Sequence, residues 1–226
     1  MLGQGVYEIA EISQYVGLPP TTVTSWFKPR SDRAGRGPIF QSDYAPVGKD
    51  YAVSFLNLME VYVARFFRNQ GVGPSLIRRA HQILKGELGV DHPFAHANLR
   101  TDGKRIILDK ASPTSDRQLV DVVNKQRWFN EIRNWLSHVD YEAATQMARQ
   151  WNIAEGVIIN PAIRFGKPVV SGFGITTYVL WRQYLANRKN EALVADLFDI
   201  TEKAVTDAAS FESSIHNGGV AHGIFH

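Results

Sequence analysis

Apolar residues recur at three- and four-residue intervals along most of this chain, and Gly and Pro cut the pattern into separate helical elements. Residues 7–16 put Ile9, Ile12 and Val16 on one face, and Gly17-Leu18-Pro19-Pro20 ends that helix and starts the next. Residues 20–27 turn Val23, Trp26 and Phe27 inward and leave Thr21, Thr22, Thr24, Ser25 and Lys28 outside. Ser54 is an N-cap for a helix over 55–70, whose broad apolar face is Phe55, Leu58, Met59, Tyr62, Phe66 and Phe67. Gly73-Pro74 opens a further helix through Leu88. It points Leu76, Ile77, Ala80 and Leu84 inward and Arg78, Arg79 and Lys85 outward.

The period then changes. Asp102-Gly103 between residues 97–101 and 104–109 is a type I′ hairpin signal. Polar residues 111–118 form a loop, and 125–136 a helix using Trp128, Phe129, Ile132 and Leu136. Residues 157–159 and 169–170 are short strands, separated by Asn160-Pro161 and Phe165-Gly166-Lys167-Pro168. Three short helices follow. The first, capped by Thr176 or Thr177, carries Leu180, Trp181, Tyr184 and Leu185 on one stripe. The second, 190–198, carries Leu193, Val194, Leu197 and Phe198. The third, capped by Thr201, turns Val205, Ala208 and Ala209 inward. None of these helices is stable alone, so they pack as a homeodomain-like three-helix module. The expected fold is mainly α with small β-hairpins (α+β). Its units are 1–90, a winged helix-turn-helix with the helices after it; 91–150, a mixed connecting region; and 151–226, the three-helix module and a flexible tail.

With 44% hydrophobic and 21% charged residues, the 226-residue chain has an ordinary globular composition. No apolar run reaches the ~18 residues of a membrane span, and no basic-then-apolar leader opens the sequence. A cytoplasmic protein without a membrane role is expected. Cysteine is absent, which excludes disulfides and cysteinyl metal sites. Residues 1–149 hold 19 Lys and Arg against 15 Asp and Glu, and residues 150–226 hold 6 against 7. A polyanion therefore prefers the N-terminal part. The last helices carry Glu191, Asp196, Asp199, Glu202, Asp207 and Glu212 against Lys203.

Two short helices joined by a tight turn form a helix-turn-helix pattern, and the outward Thr21, Thr22, Thr24, Ser25 and Lys28 suit phosphate and base-edge contacts. Lys28, Arg30, Arg33 and Arg36 then lie in a Gly/Pro-turned segment that is either a DNA-contacting wing or a solvated loop. Arg78, Arg79 and Lys85 are either a solvated helix face or an extension of that surface. His92 and His96 are four apart, but Pro93 lies between them and Asp91 is the one nearby carboxylate. They are read as surface or capping histidines. His216, His222 and His226 lie in a Gly-rich tail. No GxGxxG, P-loop, nucleophile elbow or paired-carboxylate motif occurs, and Gly172-Phe173-Gly174 reads as a turn. No catalytic residue, cofactor or metal is expected.

A family resemblance rests on Asn160-Pro161, Gly166-Lys167-Pro168-Val169-Val170-x-Gly172, Ile175-Thr176, Ile200-Thr201, Val205 and Ala208-Ala209-Ser210-Phe211-Glu212. This pattern resembles the bacterial domain, long catalogued as of unknown function, of VapB-type antitoxins paired with PIN-like toxins. The longer form of that family carries a MerR-like winged helix, and Tyr7 before the first helix and Trp26 closing the second are similar to it. Residues 54–60 (SFLNLME) and 90–94 (VDHPF) resemble its linking region. The family has Asp at Asn160 and Thr-Arg at Phe173-Gly174, so this chain lacks that arginine. The resemblance implies a non-enzymatic antitoxin that blocks a metal-dependent, carboxylate-lined ribonuclease toxin and binds its own promoter. Toxin-facing candidates are Arg164, Lys167, Arg182, Ile224 and Phe225. The DNA-facing set is Thr21, Thr22, Thr24, Ser25, Lys28, Arg30, Arg33 and Arg36. A homodimer is the corollary, paired through the helix at 55–70 or the strands around Val169. The other reading of the same residues is a MerR-like one-component regulator whose middle region senses a small ligand.

Overall fold

Left-handed glycines and short polar caps set the helix ends. In the computed structural model, which describes residues 5–28, 37–46, 51–100 and 132–216, Gly17 (φ 60°) closes helix α1 (Ile9–Val16). Pro20 then opens α2 (Pro20–Phe27) at its first position, where a missing N–H costs nothing. Ser54 caps α3 (Phe55–Asn69), its hydroxyl accepting from Asn57 N at 3.2 Å. Gly73-Pro74 starts α4 (Pro74–Leu88) and Gly89 ends it in the left-handed region. Thr201 accepts from Ala204 N at 3.2 Å at the start of the last helix. Thr176 occupies the expected cap position of its helix, but its side chain makes no capping bond.

The expected α+β class is the observed one: helices with two small antiparallel sheets. Tyr7 and Glu8, read from the pattern as the first turn of a helix, form strand β1, paired to β2 (Ala52–Val53) with Tyr7 opposite Val53. This ribbon ties the two N-terminal helices to α3. The second sheet runs β3 (Val139–Tyr141), β4 (Ala148–Ala154), β5 (Val157–Ile159), β6 (Val169–Val170), each antiparallel to the next. β5 and β6 follow the sequence pattern. β3 and β4 were not anticipated, because β4 alternates only Trp151 and Ile153 against Gln150 and Asn152. Residues 97–100, expected as part of the first strand of a hairpin, instead form a 3-10 turn (Ala97–Arg100). The Asp102-Gly103 turn and its second strand, the loop at 111–118 and most of the helix at 125–136 lie outside the described residues.

One large core extends from Tyr7 to Ile159 and takes Phe211 and Ile215 from the last helix. Phe40 sits at its N-terminal end, 6.0 Å from Trp26, 5.9 Å from Phe27 and 6.1 Å from Phe94 between ring centres. Tyr62 stacks on Trp135 at 4.7 Å and donates to its carbonyl at 3.0 Å. A smaller core lies among α5 (Thr177–Ala186), α6 (Glu191–Phe198) and α7 (Glu202–His216), built from Val170, Leu180, Val194, Val205 and Ala208. Neither surface expected to pair two copies is free. Most of α3 is inside the large core. The outer edge of β6 is covered by residues 175–177, with Val170 N donating to Ile175 O at 2.9 Å and Thr177 N to Pro168 O at 3.0 Å.

Candidate functional site

The C-terminal module concentrates exposed apolar surface. Among the described residues, eight large hydrophobics are exposed: Val6 is one, and the other seven fall between Phe165 and Leu197. Contiguous exposed apolar surface marks an interaction site more often than scattered single residues do. The pattern had placed Leu185, Leu193 and Leu197 on inner stripes; they are exposed, with Leu197 at 58%. The module is too thin for a broad stripe. Among the described residues, α6 packs chiefly on α7 and α5, and Val194 and Ala195 fill that contact.

Charge is sorted along the same module. Residues 157–190 hold Arg164, Lys167, Arg182, Arg188 and Lys189 and no carboxylate, whereas residues 191–216 are acidic. Glu212, counted above with the acidic helices, is not on that face. It is buried, accepts a hydrogen bond from the Thr177 hydroxyl, and burial raises its pKa.

Arg164 and Arg182 are exposed. Arg164 donates from Nε to Gly174 O at 3.1 Å, joining the 164–166 turn to the 171–174 turn. Lys167 is committed within the chain: its ammonium pairs with Glu11 on α1. The other oxygen of Glu11 accepts from Glu8 N at 3.1 Å, so one carboxylate closes the start of α1 and ties it to the C-terminal module. Ile224 and Phe225 lie outside the described residues. Phe165 and Phe173, 73% and 42% exposed, belong to this surface and were missed. Their only sequence signal is an aromatic residue inside a Gly/Pro turn.

On the N-terminal helices, Val23, Trp26 and Phe27 are buried as expected, while Thr21 and Lys28 are exposed and Thr22, Thr24 and Ser25 half-buried. Ser25 spends its hydroxyl on Thr22 O at 2.7 Å. Arg30, Arg33 and Arg36 lie outside the described residues. Arg78, assigned to a solvated face, is buried.

The middle of the chain holds a buried polar network. Glu60, 1% exposed, receives His81 Nε2 at 2.6 Å and His92 Nδ1 at 3.2 Å. The second nitrogen of His92 lies 3.0 Å from Asp43 Oδ1, and the Ser54 hydroxyl donates to Asp43 Oδ2. With a carboxylate at each ring nitrogen, His92 satisfies both only as an imidazolium donating twice. Burial opposes that charge, but Glu60 and Asp43 outweigh it and raise its pKa. Burial likewise opposes ionisation of Glu60, and the two histidines outweigh it and lower its pKa. The serine faces the aspartate rather than the histidine, so this is not a nucleophile–base pair. Of the two histidines expected at the surface or at a cap, both are buried: His92 bridges two carboxylates, and His96 takes the capping role, its Nδ1 accepting from Asn98 N at 3.1 Å. A cleft of about 270 Å³ opens beside the network, lined by Gln41, Ser42, Asp43, His81, Lys85 and Asp91 among others. Among the described residues no group of His, Cys, Asp or Glu has a metal-binding arrangement, and no helix is long and apolar enough to cross a membrane.

No family model matches the chain. A Mycobacterium tuberculosis protein named "Putative antitoxin VapB45" is 26% identical over 222 residues, covering 90% of this chain and 92% of that protein. The likeness spans all three regions and supports an antitoxin-like family. The X-ray structure of Rv2018, also from Mycobacterium tuberculosis, superposes with a TM-score of 0.70 at 23% identity, over 89% of this chain and 95% of that one. It has the same fold.

Proposed function

We propose that this chain is the antitoxin of a type II toxin–antitoxin pair. Residues 151–226 dock a PIN-like ribonuclease toxin, and residues 1–90 dock the operon's own promoter as a homodimeric autorepressor. The observation that carries the reading is the gathering of exposed apolar side chains between Phe165 and Leu197. A cationic stretch without carboxylates over 157–190 suits a carboxylate-lined partner. Arg164 and Arg182 are the cations offered to it, and Lys167 would have to leave Glu11 to join them. Ile224 and Phe225 complete the proposed contact set. On the DNA side, a MerR-like helix pair presents Thr21, Thr22, Thr24, Ser25 and Lys28, extended by Arg30, Arg33 and Arg36. The protein acts by binding, not catalysis, in the cytoplasm.

Co-expression with the product of the adjacent reading frame tests this. A complex that co-purifies and a relief of growth arrest are expected; neither appearing would end the reading. The cleft beside Asp43 and His92 favours one other reading, a ligand-responsive regulator of MerR type. Promoter binding that changes with a small molecule, with no protein partner, would establish that reading instead.

A further inference from the structure

We infer that Phe165 is the anchor by which the C-terminal module grips its protein partner, and that the partner meets it with an apolar pocket rimmed by carboxylates. This rests on the antitoxin reading above. Three consecutive residues have left-handed backbones: Arg164 (φ 47°), Phe165 (φ 56°) and Gly166 (φ 83°). A side-chain-bearing residue in that region is strained and persists only where its surroundings hold it.

Here the surroundings hold it from several sides. Gly166 N donates to Ile163 O at 2.9 Å, and Lys167 N to Arg164 O at 3.1 Å. Arg164 Nε donates to Gly174 O, Lys167 pairs with Glu11, and Gly166 is seated against Tyr7 and Gly5. What this clamping produces is an aromatic ring 73% exposed, the most exposed large hydrophobic among the described residues. Folding gains nothing from that placement, whereas a partner gains a rigid aromatic with few rotamers to order.

The chemistry of the partner follows from the charge and exposure of the stretch that carries the ring. Phe173 stands on the turn that Arg164 joins to this one, and residues 157–190 hold no carboxylate against Arg164, Arg182, Arg188 and Lys189, Lys167 being paired with Glu11. A basic partner is repelled. A single-stranded nucleic acid would share the attraction to cations, but Glu191, Asp196, Asp199 and Glu202 follow at once. Aliphatic Val179, Leu185, Leu193 and Leu197 also make up much of the exposed apolar surface. Apolar contact with an acidic rim is the recognition of a protein.

The test measures affinity of the full chain for the adjacent gene product, alongside thermal unfolding, for wild type, Phe165→Gly, Phe165→Asp and Leu197→Gln. Both Phe165 variants should weaken binding at least about 30-fold, as truncating a central aromatic anchor does. Leu197→Gln should weaken it much less. Phe165→Gly should unfold no earlier than wild type, because glycine relieves the φ of 56°. A wild-type complex indifferent to Phe165 overturns the inference and leaves the antitoxin reading standing. No wild-type complex at all overturns both. A Phe165→Gly protein that unfolds well below wild type would make Phe165 a packing residue and overturn the inference. Loss of self-association in sedimentation, or of binding to a single-stranded RNA oligonucleotide, as the main effect of Phe165→Gly would also overturn it, by assigning the ring to a second copy or to nucleic acid.

Discussion

Gly166 lies against the ring of Tyr7 so closely that a methyl group on its Cα would clash with the hydroxyl oxygen and stand 2.8 Å from Cζ. The contact joins the 164–166 turn of the C-terminal module to the first strand of the chain. Gly166 also has a φ of 83°, which an alanine adopts only under strain. Gly166→Ala should therefore cost about 2–5 kcal/mol in urea unfolding, from left-handed strain and overpacking together. The Tyr7 hydroxyl is buried and finds no hydrogen-bond partner among the described residues. Tyr7→Phe leaves nothing unsatisfied and should change stability by less than about 1 kcal/mol.

The Glu60–His92 pair makes stability depend on pH at both ends. Burial works against both charges, yet the folded protein raises the pKa of His92 above its ordinary 6.5 and lowers that of Glu60 below its ordinary 4.5. The His92 contribution is complete below 6.5 and is lost as pH rises through its folded value. The Glu60 contribution is complete above 4.5 and is lost as pH falls through its folded value. Denaturation midpoints of wild type and His92→Gln should differ most between pH 4.5 and 6.5 and converge as pH rises through the raised folded pKa of His92. A gap that widens with rising pH would refute the assignment. Glu60→Ala, which strands His92 and His81 in the core, should cost about 3–5 kcal/mol.

Neighbouring positions on α6 should respond in opposite ways. Leu197 is 58% exposed, so Leu197→Gln should stay within about 0.5 kcal/mol of wild type. Val194 is fully buried in the small core, so Val194→Ala should cost about 2 kcal/mol. Equal losses in chemical denaturation would mean that Leu197 is covered in solution.

On DNA, the Arg33→Ala, Arg36→Ala double variant should bind the promoter more weakly, and each lost phosphate contact should flatten the salt dependence by about one unit of slope. Lys28→Ala should do the same by about one unit. An unchanged slope in both would move the DNA surface away from α2 and the segment after it.

The sequence alone encodes the helices of the N-terminal half and most of their ends, but not the start of α1, where Tyr7 and Glu8 pair with β2 as a strand. Gly17, Pro20, Ser54, Gly73 and Gly89 act through backbone geometry and single hydrogen bonds that reach only a few residues. It also determined β5, β6 and the α+β class, because Gly and Pro punctuate those strands. Tertiary structure decided which apolar residues stay outside. Leu185, Leu193 and Leu197 look like core by period, but a three-helix module has room for one narrow inner face, which Leu180, Val194 and Val205 fill. It decided the meeting of Glu60, His81, His92 and Asp43, which period alone cannot show because a buried charge is tolerated only where distant partners arrive together. It also decided the exposure of Phe165. The left-handed turn that carries it is held by Tyr7 and Glu11 from the far end of the chain, and no local pattern encodes a contact between residues so distant in sequence.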